Sequence, residues 1–217
     1  MTLQNGLIAN GKAYLWTDSL VLNGETGEPL GLAKKAIFGQ SQPWAMSFTT
    51  IGNPNFSVFA WEMERADPKD TDQLIEAALL GLRQYCSDGS LGRVLLASCW
   101  NEPRLFGISS DAIHGLPWGV YSMDHHVAPW HSTEEMTVTL NTMPDIIAEQ
   151  VTGNFSWQGG EPIARATRKI GGQIARIEVS PSGVRESEIQ LAGRAGKMLR
   201  RSFDEGLKAG RMLQCAA

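Results

Sequence analysis

The chain has 217 residues, 42% of them apolar and 19% charged, and a formal net charge of −4. That length predicts one large domain, or one with a small appendage. The composition excludes a disordered chain, a collagen-like repeat and a coiled coil. The acid excess argues against a nucleic-acid partner. No apolar run is long enough to form a membrane-crossing helix, so no membrane partner is expected. The stretch from Met1 to Trp16 lacks the charged-then-apolar layout of a signal peptide. Cys86, Cys99 and Cys215 are odd in number and scattered, which reads as reduced thiols of a cytoplasmic protein. The seven tryptophans read as packing anchors.

In chain order, Leu3 to Ala9 and Ala13 to Asp18 flank Asn10-Gly11. Asn-Gly between apolar runs predicts a two-residue hairpin turn, because that turn needs positive φ at both positions. With that turn Ala9 pairs with Lys12, Leu3 lies opposite Asp18, and Thr2 lies opposite Ser19. The start of the chain and Asp18 are therefore spatial neighbours. A Gly- and Pro-bearing loop is expected from Asn23 to Gly31, then strands over Lys35 to Phe38 and Ala45 to Thr50. Helical pattern follows at Val58 to Arg65 and, most clearly, at Asp70 to Cys86. There Leu74, Ala77, Ala78, Leu82 and Tyr85 form one apolar stripe. Asp70 or Thr71 would cap that helix, and Gly81 inside it would mark a close helix contact. Strands return at Arg93 to Cys99, Pro103 to Ser109 and Pro117 to Ser122. Helical pattern reappears at Met143 to Val151 and Glu161 to Lys169. A hairpin from Gln173 to Gln190 turns at Pro181-Ser182-Gly183, and a long helix closes the chain, roughly Leu191 to Cys215. Hairpin-linked strands in blocks, alternating with blocks of helices, predict an α+β fold of two antiparallel sheets with helices outside.

Several pieces, in order, resemble one family. Thr2, Asp18 and Lys34 have the spacing of the nucleophile, carboxylate and lysine of proteasome β subunits and the bacterial proteasome-like peptidase. AKKAIF, at Ala33 to Phe38, is similar to that family's lysine-doublet strand, and AMSFTTIG, at Ala45 to Gly52, to the strand ending in its oxyanion-site glycine. Arg93 to Ala112 looks like its central hairpin and Ile170 to Val184 like its last strand pair, which opens with Gly-Gly. The resemblance implies a four-layer αββα sandwich of the N-terminal-nucleophile hydrolase kind over residues 1–190, with a C-terminal helix over 191–217. It implies self-association, since such proteins form rings. It also implies a threonine peptidase or amidohydrolase acting on peptide or other amide bonds, with no metal or organic cofactor.

The chemistry fits an N-terminal threonine. A hydroxyl is a weak nucleophile that needs an adjacent base, and an N-terminal threonine carries one in its own α-amine, whose pKa is near 8. Removal of Met1 before Thr2 would expose that amine. A lysine, Lys34 by spacing or Lys35 by the doublet, and Asp18 would tune the pair, and an N–H near Gly52 would hold the oxyanion. A match to the family's Lys-apolar-aromatic order would instead put Ala36 at the lysine position, before Ile37-Phe38. Thr167 and Ile170 stand where the family carries a supporting aspartate and serine before Gly171-Gly172, and the family's Ser-Gly-rich loop is replaced by MDHHVAPWHSTEE. These departures keep a second reading open: an inactive proteasome-like subunit acting in assembly or partner binding.

Other features read as ordinary structure. Asp124, His125, His126 and His131 match no metal-ligand spacing, and adjacent histidines on extended chain point to opposite sides. They read as a surface or interface loop, with a metal site at His125, His126 and His131 as the weaker alternative. Gly159-Gly160 and Gly171-Gly172 read as turns, and Cys99 as an inert buried thiol. The C-terminal segment carries six basic and two acidic residues, leaving +4 there and −8 elsewhere. It reads equally as a docking or oligomer helix and as an amphipathic helix on its own core. Its glycines, Gly193, Gly196, Gly206 and Gly210, suit close approach of another backbone.

Overall fold

A computed structural model describes residues 2–23, 26–51, 56–85, 91–111, 116–129, 137–153 and 169–216. Within these, β1 (Gln4–Ala9) and β2 (Lys12–Asp18) form the N-terminal hairpin, paired from Gln4 with Thr17 to Ala9 with Lys12. Asn10 and Gly11 have φ of 52° and 69°. No atom would crowd a Cβ at Gly11, so the glycine is there for its backbone angle.

Next come β3 (Leu20–Leu22), β4 (Pro29–Leu32), β5 (Ala36–Phe38) and β6 (Trp44–Ile51). The loop expected from Asn23 to Gly31 thus carries a strand at its end. β3 and β4 pair as a two-stranded ribbon, and Pro29 is tolerated because it opens its strand. Helices α1 (Phe56–Ala66) and α2 (Thr71–Tyr85) follow. The Asp70 carboxylate accepts the Gln73 N–H at 2.8 Å, so Asp70 caps α2. β7 (Leu91–Ser98), β8 (Arg104–Asp111), β9 (Leu116–Met123) and β10 (His125–Ala128) come next, then α3 (Met143–Thr152). The chain ends with β11 (Ile174–Ser180), β12 (Gly183–Ile189) and α4 (Gly193–Ala216). The helix expected over Glu161 to Lys169 lies, but for Lys169, outside the described residues, as do Gly159-Gly160.

The strands make two five-stranded antiparallel sheets. The first runs β10-β1-β2-β11-β12 and the second β5-β6-β7-β8-β9. β10 was not expected from the sequence. It pairs with β1, His126 opposite Gly6 and His125 opposite Leu7, so the two histidines take opposite faces of a strand edge rather than lying in a loop.

Side-chain alternation sorts the core into three clusters. Ala13, Leu15 and Ile177 of the first sheet meet Ala45, Leu95 and Leu105 of the second. On the far face of the first sheet, Leu3, Trp16 and Ile174 pack with Ile146 and Ile147 of α3 and Ala195 and Leu199 of α4. On the far face of the second, Met46, Phe48 and Leu96 pack with Phe59 of α1 and Leu74, Ala78 and Leu82 of α2. Trp16 and Trp44 are core anchors, whereas Trp61 is exposed. Two helix glycines buy proximity. A Cβ on Gly81 would sit 2.5 Å from the Phe59 ring, and one on Gly206 would sit 2.6 Å from Leu32. The close approach expected of the C-terminal glycines is thus made at Gly206 against this chain's own β4. No helix among the described residues is long and apolar enough to cross a membrane.

Candidate active site

The N-terminal hairpin ends where β2 gives out, at Asp18. Its carboxylate is wholly buried. Oδ1 accepts the Leu3 N–H at 2.9 Å and the Lys35 ammonium at 2.9 Å, and Oδ2 accepts the Gly171 N–H at 3.2 Å. A buried carboxylate is tolerable only when paired and hydrogen-bonded, and these three donors meet that need. They come from three distant parts of the chain: the start of β1, the β4–β5 linker and the turn before β11. Asp18 therefore ties them to one point.

The lysine doublet divides. Lys35, with its side chain 12% exposed, reaches inward to Asp18. Its backbone carbonyl accepts the Phe48 N–H at 3.2 Å, which anchors it to β6. Lys34 turns outward, pairs with Glu186 of β12 at 2.8 Å and lies over the Phe38 ring. Spacing from Thr2 singled out Lys34, but the residue brought to Asp18 is Lys35. Ala36, the third candidate, is buried between the sheets and carries no charge. Thr2 is half-buried and precedes the Leu3 N–H that Asp18 holds. Gly52 and Thr167 lie outside the described residues.

The Gly171-Gly172 turn closes the site from below. Gly172 has φ of 79°, and a Cβ there would sit 2.3 Å from Ser19 Oγ, so backbone angle and space both demand glycine. Ser19 Oγ accepts the Gln173 N–H at 2.9 Å, and Ser202 Oγ of α4 accepts the Gly172 N–H at 2.8 Å. Ser19 and Ser202 were not singled out from the sequence. Ser19 is hinted at by its place after Asp18. Ser202, 183 residues further on by its number, has no local signal at all. Ile170, where the resemblance looks for a serine, is buried in the apolar cluster beneath the first sheet.

Beside Asp18 a cleft of about 490 Å³ opens between the β4–β5 linker and the β11–β12 pair, lined among others by Ser19, Lys34, Lys35, Gln173 and Glu186. Its wall thus carries two lysines, Glu186 and Glu188 beside Asp18 itself, a polar surface that includes the buried ion pair. Elsewhere, burial pushes the Cys99 thiol up, away from thiolate chemistry. His131 lies outside the described residues. Among those described, no three His, Cys, Asp or Glu side chains are grouped to hold a metal.

In fold the chain is similar to the Gly-1 mutant of Anbu from Hyphomicrobium sp. strain MC1. The TM-score is 0.60 over 100% of this chain and 98% of that one, with 12% identity. The two chains share this mixed α+β arrangement over essentially their whole lengths. No family model matches the sequence, and neither does any curated protein. At that identity the likeness speaks for the fold and leaves the chemistry to the residues.

Proposed function

We propose that this protein is a proteasome-like threonine peptidase or amidohydrolase with Thr2 as its nucleophile once Met1 is removed, built on a four-layer αββα sandwich. The observation that carries this reading is the Asp18–Lys35 pair, buried beside the first residues of the chain and held by the Leu3 and Gly171 N–H groups. An ordinary strand start has no use for a buried ammonium–carboxylate pair, whose desolvation is costly.

Thr2 Oγ would attack the amide carbonyl while the freed Thr2 α-amine takes its proton. Collapse of the tetrahedral species would expel the amine, which receives that proton, and leave an ester on Thr2. Water, deprotonated by the same α-amine, would then cleave the ester. Lys35 supplies positive charge beside the hydroxyl and Asp18 positions Lys35. The N–H near Gly52 is proposed for the oxyanion. Lys34 is proposed as a cleft residue rather than a partner of Thr2. The reading includes assembly of several copies, as the fold implies, with a protein or peptide as substrate.

The test is the intact mass of untagged protein made from its native start, before and after a β-lactone acylating probe. Loss of Met1 and one adduct mapping to Thr2 are expected. A free Thr2 that takes no adduct overturns the catalytic reading. One observation favours a second reading, an inactive subunit serving assembly or partner binding: the buried, apolar Ile170 cannot supply the hydroxyl the family places there.

A further inference from the structure

The outer face of α2 carries a set of side chains that the chemistry above does not use. Leu74, Ala78 and Leu82 turn inward to the core on the far face of the second sheet. Asp72, Glu76, Leu79 and Arg83, spaced at helical intervals, fall on another face, with Ile75 and Leu80 on its flanks. These six line a depression of about 390 Å³. Leu80 is 66% exposed. Asp72, Glu76 and Arg83 are exposed as well, and Ile75 and Leu79 are half-buried.

The charges on this face are ordered. The two carboxylates stand toward its N-terminal end and the guanidinium at its C-terminal end, with the apolar side chains among them. Nearby exposed charges find partners within the chain, Arg65 with Glu62 and Lys69 with Asp67. Among the described residues, Asp72, Glu76 and Arg83 form no ion pair. Leu80 by itself would be an ordinary exposed leucine. What sets this face apart is the charge order around it, which is complementary to itself when reversed.

An isologous contact requires that if one residue meets another across the two-fold axis, the second meets the first in return. The α2 face meets that condition. Let two copies of α2 lie antiparallel, with the axis crossing midway between Asp72 and Arg83. Arg83 then faces Asp72 of the second copy, Leu80 faces Ile75 and Leu79 faces the stem of Glu76, and the axis repeats each pairing. Opposite charges meet at both ends and apolar side chains meet between them. A parallel arrangement would set Asp72 on Asp72 and Arg83 on Arg83, and like charges repel. We propose that α2 is an isologous contact through which two copies of this chain pair antiparallel. The contact does not rest on the amide-cleaving reading above; it assigns a face to one contact of the assembly included there.

The test is sedimentation equilibrium of the untagged full chain and of two charge-reversed forms, Arg83→Glu and the double substitution Asp72→Arg with Glu76→Arg. In either form alone, like charges meet at both ends. Its molar mass is expected to be half that of the unchanged chain, whatever number of copies other faces join. Mixed in equal amounts, the two forms present opposite charges to each other at both ends, and the mass is expected to return to that of the unchanged chain. Leu80→Ser keeps the charges and is expected to weaken the pairing about tenfold. An unchanged chain that sediments as a monomer overturns the contact and leaves the face to a partner of different sequence. Reversed forms that keep the full mass, or a mixture that does not regain it, overturn it too. The β-lactone adduct on Thr2, read on the same samples, separates the two ideas. An adduct on a chain that does not pair sinks the contact alone. Pairing without an adduct sinks hydrolysis alone.

Discussion

At the residue scale, two neighbouring lysines show how burial assigns roles. Lys34 and Lys35 each have a carboxylate within 3 Å, but the Lys34–Glu186 side chains are 50% and 35% exposed and the Lys35–Asp18 side chains 12% and 0%. Solvent screens the first pair; the second is part of the interior. Lys35→Met strands a buried carboxylate and should cost about 3–5 kcal/mol. Lys34→Met should cost less than about 1 kcal/mol. Urea denaturation of the two variants checks this, and equal losses would remove the basis for placing Lys35 in the site. His126 makes a second prediction. Burial, the facing Arg93 and His125 hold its folded-state pKa at about 4, below the ordinary 6.5, so the unfolded chain takes up a proton that the folded one refuses. Stability should therefore fall as pH drops from 6.5 towards 4, by about 3 kcal/mol from this group. His126→Asn should flatten the stability–pH curve in that window, and a slope unchanged by the substitution would show that the imidazole is not held neutral.

At the element scale, the turns do the positioning. Gly11 and Gly172 both have positive φ, but only Gly172 also lacks room for a Cβ. Gly11→Ala should cost about 1 kcal/mol and leave Thr2 reactivity intact. Gly172→Ala must in addition displace Ser19, which holds the Gln173 N–H, and with it the neighbouring Gly171 N–H on Asp18. It should cost measurably more and slow β-lactone acylation of Thr2. Thermal melts and the rate of adduct formation separate the two variants. The register of the first hairpin was legible because Asn-Gly dictates turn type and the turn dictates every pair after it. β10 was not legible: four residues, two of them histidines, carry no apolar alternation, and only the free edge of β1 makes them a strand.

At the scale of the whole molecule, α4 is the element whose place sequence reasoning left open. It does not stand off as an appendage. Ala195 and Leu199 enter the core beneath the first sheet, Gly206 packs against Leu32, and Ser202 holds the Gly172 N–H. Buried Ser202 also donates to the Leu199 carbonyl. Its basic residues find partners in part on the helix itself, as Arg201 does with Glu205. A chain ending at residue 190 would expose that cluster and leave a buried N–H unsatisfied. It should lose cooperative thermal unfolding rather than persist as a folded domain. A sharp, reversible transition in that truncated chain would show that α4 is dispensable.

Local chemistry therefore carried the elements and one side of the candidate site. Asn10-Gly11 brought Asp18 beside the chain start, apolar periodicity placed α2, and hairpin order implied antiparallel sheets, because turns and periodicity depend on residues near each other in sequence. What three-dimensional packing decided was different in kind. It chose Lys35 over Lys34, put Ser202 under the Gly-Gly turn, and left Arg93 facing His126 between the sheets. Each of these depends on which side chains from remote segments share a low-dielectric interior, where a charge or a polar atom must find its partner. No spacing along the chain encodes that.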